Sequence, residues 1–240
     1  MTKLISVAID YLFPPKCLIC GSRELYRLGY FLCKNCFDSI SFISHPFCTR
    51  CGKPFFTESI RGHVCGDCLI QEPYFYLVRS LGRYEGTLEK IIHHLKYKQK
   101  FTMGNLLALL LENIPSDGIS FGSYDLFIPV PLHIKRLRQR GFNQSVILGK
   151  ILNKKYRVPL KTMVLQRSVY TLPQVNLPVK ERKLNVRNAF RVKDHRLIQG
   201  KKVLILDDVF TTGATLNECA RVLKKFGASR VDGFVIARAA

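Results

Sequence analysis

Eight cysteines fall into four Cys-x-x-Cys pairs: Cys17/Cys20, Cys33/Cys36, Cys48/Cys51 and Cys65/Cys68. Two residues between cysteines let both thiolates approach one metal from a tight turn, and a second pair about a dozen residues on completes a tetrahedron. The intervals between pairs are 12, 11 and 13 residues. Gly21, Gly52 and Gly66 stand where such turns need small or left-handed residues. Two structural Zn²⁺ sites are therefore expected. Four pairs can form two sites in three ways. Sequential pairing, 17/20 with 33/36 and 48/51 with 65/68, closes the shortest loops and costs least entropy. The competing reading is a disulfide framework or redox dithiols; four pairs in series favour metal in a reducing cytosol. His45 and His63 lie nearby, but the cysteine count is already complete. The ninth, Cys219, shares a helix face with Leu216, Ala220 and Leu223 and reads as a small core residue.

The cysteines divide the chain. Residues 1–73 hold all four pairs and a nearly balanced charge, eight basic against six acidic. They read as a double zinc ribbon behind a short helix, with Leu4, Ile5, Ala8, Ile9 and Leu12 on one face and Pro14-Pro15 as its stop. Residues 74–240 change character. Strands are expected over 76–84, 126–130, 201–207 and 230–237, and helices over 87–97, 104–113, 145–152 and 216–226. That alternation predicts an α/β domain with a mostly parallel sheet and helices on both faces. Asp10 breaks the apolar N-terminus, and Pro14-Pro15 is no small-residue cleavage site, so a secretory signal is not expected. No apolar run reaches membrane-spanning length. A soluble, cytoplasmic protein is expected.

The stretch Val203-Leu204-Ile205-Leu206-Asp207-Asp208 is a buried strand with two carboxylates at its carboxyl end, where α/β sheets bind ligands. Phe210-Thr211-Thr212-Gly213-Ala214-Thr215 then opens into a helix. Such a loop offers backbone N–H groups, hydroxyls and a positive helix terminus to a phosphate. Asp207 and Asp208 can accept from ribose hydroxyls or hold Mg²⁺ through water. Phosphate plus vicinal diol describes a 5-phosphoribosyl group. A P-loop NTPase would need G-x-x-x-x-G-K-[ST], which the chain lacks.

The Asp-Asp-Thr-Thr-Gly segment resembles the phosphoribosyl-diphosphate signature of type I phosphoribosyltransferases, although Phe210 is bulkier than the small aliphatic residue usual there. Pro129-Val130-Pro131-Leu132 with Arg138-Gln139-Arg140-Gly141-Phe142-Asn143-Gln144, the helix ending Leu95-Lys96-Tyr97 and the cysteine head narrow the likeness to the ComF/GntX family. Gln174, Leu177, Arg182, Asn185 and Phe190 are similar to that family's mobile loop. The resemblance implies a role in natural transformation, with incoming single-stranded DNA and partners from the uptake machinery. It also implies that Arg138, Arg140 and Gly141, after the second core strand, receive pyrophosphate with Mg²⁺. An active salvage transferase is the alternative. There Asp207 and Asp208 would steady a cationic ribosyl transition state, but no base-recognition motif is identifiable.

The charge is lopsided, 38 Lys and Arg against 17 Asp and Glu. Two zinc–tetrathiolate sites would lower +21 to about +17, still strongly basic. Between Leu132 and Lys193 there are 16 Lys and Arg, opposed only by Glu181. Phe142, Tyr156 and Tyr170 are interspersed. Positive charge with aromatics suits single-stranded nucleic acid, and a solvated surface is the plainer alternative. Arg136, Arg138, Arg140, Lys154, Lys155 and Arg157 are the candidate contacts.

Overall fold

The computed structural model describes residues 16–25, 31–55, 62–97, 100–112, 118–171 and 178–239. The helix expected within 1–15, and Gln174 and Leu177, lie outside the described residues.

Four parallel strands make the central sheet: β1 (Val78–Arg83), β2 (Leu126–Pro129), β5 (Lys202–Phe210) and β6 (Arg230–Arg238), in the order β1-β6-β5-β2. Strands β5 and β6 are nine residues each and carry apolar runs, residues 203–206 and 234–237, as central strands covered on both faces must. Alternation sorts their side chains. Leu204, Leu206, Phe234 and Ile236 join the core under α3 (Gly86–Tyr97), α4 (Lys100–Glu112) and α6 (Gln144–Tyr156). Val203, Ile205, Val231 and Val235 join the core under α8 (Ala214–Lys225), where Leu216, Cys219, Ala220 and Leu223 form the expected buried face. Cys219 is fully buried, and burial raises its thiol well above the ordinary value, as befits a core residue.

The ribbons pack on opposite faces. Cys17, Cys33 and Cys36, the last on the short α1 (Lys34–Asp38), belong to the α3/α4 core. Cys48, Cys51, Cys65 and Cys68, the last on α2 (Gly66–Ile70), belong to the α8 core. Backbone bonds join the head to the outer edge of β1: Ile43 N–H to Leu81 O at 3.0 Å, Arg83 N–H to Ser41 O at 2.8 Å and Val78 N–H to Arg50 O at 2.7 Å. Packing thus runs across the compositional boundary at residue 73.

Four elements differ from expectation. The segment around residues 138–141, expected as a basic loop after the second core strand, instead ends a helix, α5 (Ile134–Arg140), closed by Gly141 in the left-handed conformation. The stretch expected as a mobile loop contains α7 (Val179–Val186) and β4 (Phe190–Val192). Strand β4 pairs antiparallel with β3 (Leu165–Arg167) in a small second sheet.

Candidate functional site

The cysteines gather into two clusters, Cys17–Cys20–Cys33–Cys36 and Cys48–Cys51–Cys65–Cys68, the sulfurs of each within 4.8 Å of one another. This is the sequential pairing. None of the nine cysteines is in a disulfide. Cys20 Sγ lies 3.5 Å from Cys33 Sγ, and Cys51 Sγ 3.6 Å from Cys65 Sγ. Those separations are far too long for disulfides and close to the edge of a tetrahedron with zinc–sulfur bonds of about 2.3 Å. Backbone N–H groups of Cys51 and Cys65 point at Cys48 Sγ at 3.5 and 3.2 Å, a bonding pattern that favours thiolate. Hydrogen bonding with Cys51 is the main cause that pulls the Cys48 thiol down to about 4, against its burial. The donor set fits two structural zinc ions.

Strand β5 carries Asp207 and Asp208 and continues to Phe210, three residues beyond its expected end. The pair is enclosed by groups from α3 and α6. Ser145 Oγ donates to Asp207 Oδ1 at 3.2 Å. Asp208 Oδ2 accepts from Gln144 Nε2 at 3.2 Å and faces Lys96 Nζ at 3.2 Å. The side chains of Lys96 and Asp208 are only 18% and 14% exposed. Gln144 is 3% exposed, and its Oε1 has no hydrogen-bond partner among the described residues. Burial first, and the charge of Asp208 second, push the Asp207 carboxyl up to about 8.

Beyond the acids, Thr211 and Thr212 form a turn into α8, whose N-cap is Gly213 at φ +74°. Ala214 N–H points at Thr212 Oγ1 at 3.4 Å. A Cβ on Gly213 would lie 2.4 Å from Phe210 Cζ, so the turn needs glycine on both conformational and steric grounds. Phe210 itself is buried under the turn, beneath the Arg238 guanidinium at 4.4 Å and edge-on to Phe75. Arg238 also donates to Cys51 O at 2.7 Å, joining the second ribbon to the end of β5 beneath the Thr-Thr-Gly turn. Thr211, Thr212, Gly213 and Ala214 line a cleft of about 900 Å³ with Lys53 and Arg187; the acidic pair is not among its lining residues.

The basic candidates separate into two groups. Arg136, Arg138 and Arg140 lie on α5, which leads through Gly141 to the Asn143 N-cap of α6 and so to Gln144 and Ser145. Asn143 Nδ2 fixes this turn to Val130 O at 2.9 Å, at the carboxyl end of β2. Lys154, Lys155 and Arg157 are exposed at the other end of α6. A helix of 13 residues separates the groups by roughly 20 Å. Tyr156 stacks on Phe121, with centroids 5.0 Å apart, and is committed to packing. Tyr170 is 44% exposed and sits beside Lys135. Ser145, and the parts played by Gln144 and Lys96, were not foreseen. Both α6 contacts join residues more than 60 positions apart in the chain.

Residues 8–69 match the double zinc ribbon domain and residues 143–240 the phosphoribosyl transferase domain. The fold is thus phosphoribosyltransferase-like, behind a cysteine-rich double ribbon. The chain is 31% identical to competence protein F of Haemophilus influenzae over 93% of its own length and 97% of that protein. It is 31% identical to DNA utilization protein YhgH of Escherichia coli K12, covering 94% and 97%. It is 25% identical to competence protein ComFC of Bacillus subtilis, covering 92% and 94%.

Proposed function

The chain belongs to the family of competence protein F, ComFC and YhgH, and on that premise we propose that it binds a phosphoribosyl ligand and single-stranded DNA at separate places on one scaffold. The observation that carries this is the junction of β5 and α8. Two acids, a Thr-Thr-Gly turn and a helix N-terminus follow one another within nine residues, Asp207 to Thr215. The turn and the first N–H groups of α8 hold the 5′-phosphate, with the Thr211, Thr212 and Thr215 hydroxyls near it. Asp207 and Asp208 accept from the ribose hydroxyls. Phosphoribosyl diphosphate brings its Mg²⁺, which neutralises the diphosphate, and the arginines of α5 reach that charge from beyond the α6 turn.

DNA is better served by the basic helix ends than by the acids, because carboxylates repel a phosphodiester backbone and deoxyribose lacks the 2′-hydroxyl. Filter binding across a salt series checks this. The log–log slope for single strands is roughly −0.7 per neutralised phosphate. Changing Arg136, Arg138 and Arg140 together to Ala should shrink it by up to about two units, and so should changing Lys154, Lys155 and Arg157. Changing Asp207 and Asp208 to Asn should leave DNA binding intact while abolishing calorimetric heat with phosphoribosyl diphosphate. Unchanged slopes in both triples would reduce the tract to a solvated face. Pyrophosphate release with a free base, and no DNA affinity at physiological salt, would favour a salvage transferase.

A further inference from the structure

We propose that Lys96 is a built-in cation of the acidic pair, so that a ribose phosphate is held there without a divalent ion. The inference rests on the ribose-phosphate reading above and concerns how that same site is neutralised.

Three of the four oxygens of the pair are already engaged. Asp208 Oδ2 faces both Lys96 Nζ and Gln144 Nε2 at 3.2 Å, and Asp208 Oδ1 accepts from Val209 N–H at 2.9 Å. Asp207 Oδ1 accepts from Ser145 Oγ at 3.2 Å and from Asp208 N–H at 2.9 Å. With the Lys96 ammonium in place, two carboxylates carry at most one uncompensated charge. A divalent ion would have to displace a largely buried ammonium to reach Asp208. Mg²⁺ keeps several waters and is held through carboxylates together with substrate phosphates, so its natural place is on a ligand's diphosphate.

The second observation is Gln144. Its amide nitrogen is oriented by Asp208, which fixes the opposite direction of Oε1, a buried acceptor with no partner among the described residues. Buried acceptors are almost always satisfied, and a ribose hydroxyl is a donor of the right kind. The ligand hydroxyls then meet an acceptor on Gln144 and acceptors on the pair, while Lys96 holds the charge balance. Lys96 is a positioning residue in this scheme, acting through Asp208. The α3 ending Leu95-Lys96-Tyr97 acquires a function that its sequence alone did not assign.

Ribose 5-phosphate, which has no diphosphate, is the discriminating probe. Calorimetry on the full-length protein should give the same affinity, within about twofold, in Mg²⁺ and in EDTA. Lys96→Met should bind roughly tenfold or more weakly in EDTA, the loss expected for a charged hydrogen bond, and Mg²⁺ should restore part of it. Lys96→Arg should stay near wild type in EDTA. Melting curves of both variants establish that they are folded. Wild-type binding of ribose 5-phosphate that vanishes in EDTA, or a folded Lys96→Met that matches wild type in both buffers, would overturn the proposal. Failure of the wild type to bind either ribose 5-phosphate or phosphoribosyl diphosphate under any condition would instead remove the ribose-phosphate reading itself.

Discussion

At Asp207 burial raises the carboxyl to about 8, with the neighbouring Asp208 charge as the second cause. An unfolded aspartate ionises near 3.9. Between those values the folded chain keeps a proton that the unfolded chain gives up. The stability this lends is fully present below about pH 4 and declines as pH rises toward 8. Asp207→Asn mimics the protonated acid and escapes the decline. Its melting temperature should exceed that of the wild type by about 2–4 °C at pH 8, equivalent to roughly 1 kcal/mol in a chain of this size, and should converge on it near pH 4. Thermal denaturation at several pH values checks this, and an Asn variant less stable than wild type at pH 8 would refute it. The same substitution should weaken phosphoribosyl diphosphate binding. A change that steadies the fold and harms the ligand marks a carboxylate kept for something other than packing.

The turn from β5 into α8 is the element on which the phosphate reading depends. Gly213→Ala places a methyl group 2.4 Å from the Phe210 ring in a left-handed conformation, and should cost about 1–3 kcal/mol in urea denaturation while weakening phosphate binding. Phe210→Leu in the same chain should recover part of that loss, since the clash is one term of a coupled pair. This turn was legible in the sequence because strand, acids, loop and helix are consecutive. The cysteine clusters were legible because each set of ligands spans 20 or 21 residues, from Cys17 to Cys36 and from Cys48 to Cys68. Other elements left no such trace. The helix α5 buries none of its residues and so shows no apolar stripe. The strands β3 and β4 are three residues each, too short for a period of two to declare itself. Lys96, Gln144 and Ser145 meet the acids only through tertiary packing, which no local spacing encodes.

Among the described residues, one cysteine cluster packs with the helices on each face of the central sheet. Structural zinc contributes about 10–16 kcal/mol of apparent binding energy in small ribbons, and here the ribbons also complete the edge of β1. Elemental analysis should find close to two Zn²⁺ per chain. Chelation should loosen more than the head: hydrogen exchange should accelerate at the Val78 and Arg83 amides, which bond to Arg50 and Ser41. Full protection of those two amides after zinc removal would mean that the sheet edge stands alone. The strand order has a further consequence, for synthesis. The last strand, β6, lies between β1 and β5, so the sheet cannot close until residue 238 has left the ribosome. At about 5–20 residues per second, the 160 residues from Val78 to Arg238 take roughly 8–32 s to translate. Through that interval β1 has no sheet neighbour, and only the already translated ribbon segments at Ser41–Ile43 and Arg50 can shield its polar backbone. Metal capture by the nascent head would then act as a placeholder in vectorial folding. Chains stalled on the ribosome before β6 emerges should be far more sensitive to protease when zinc is withheld.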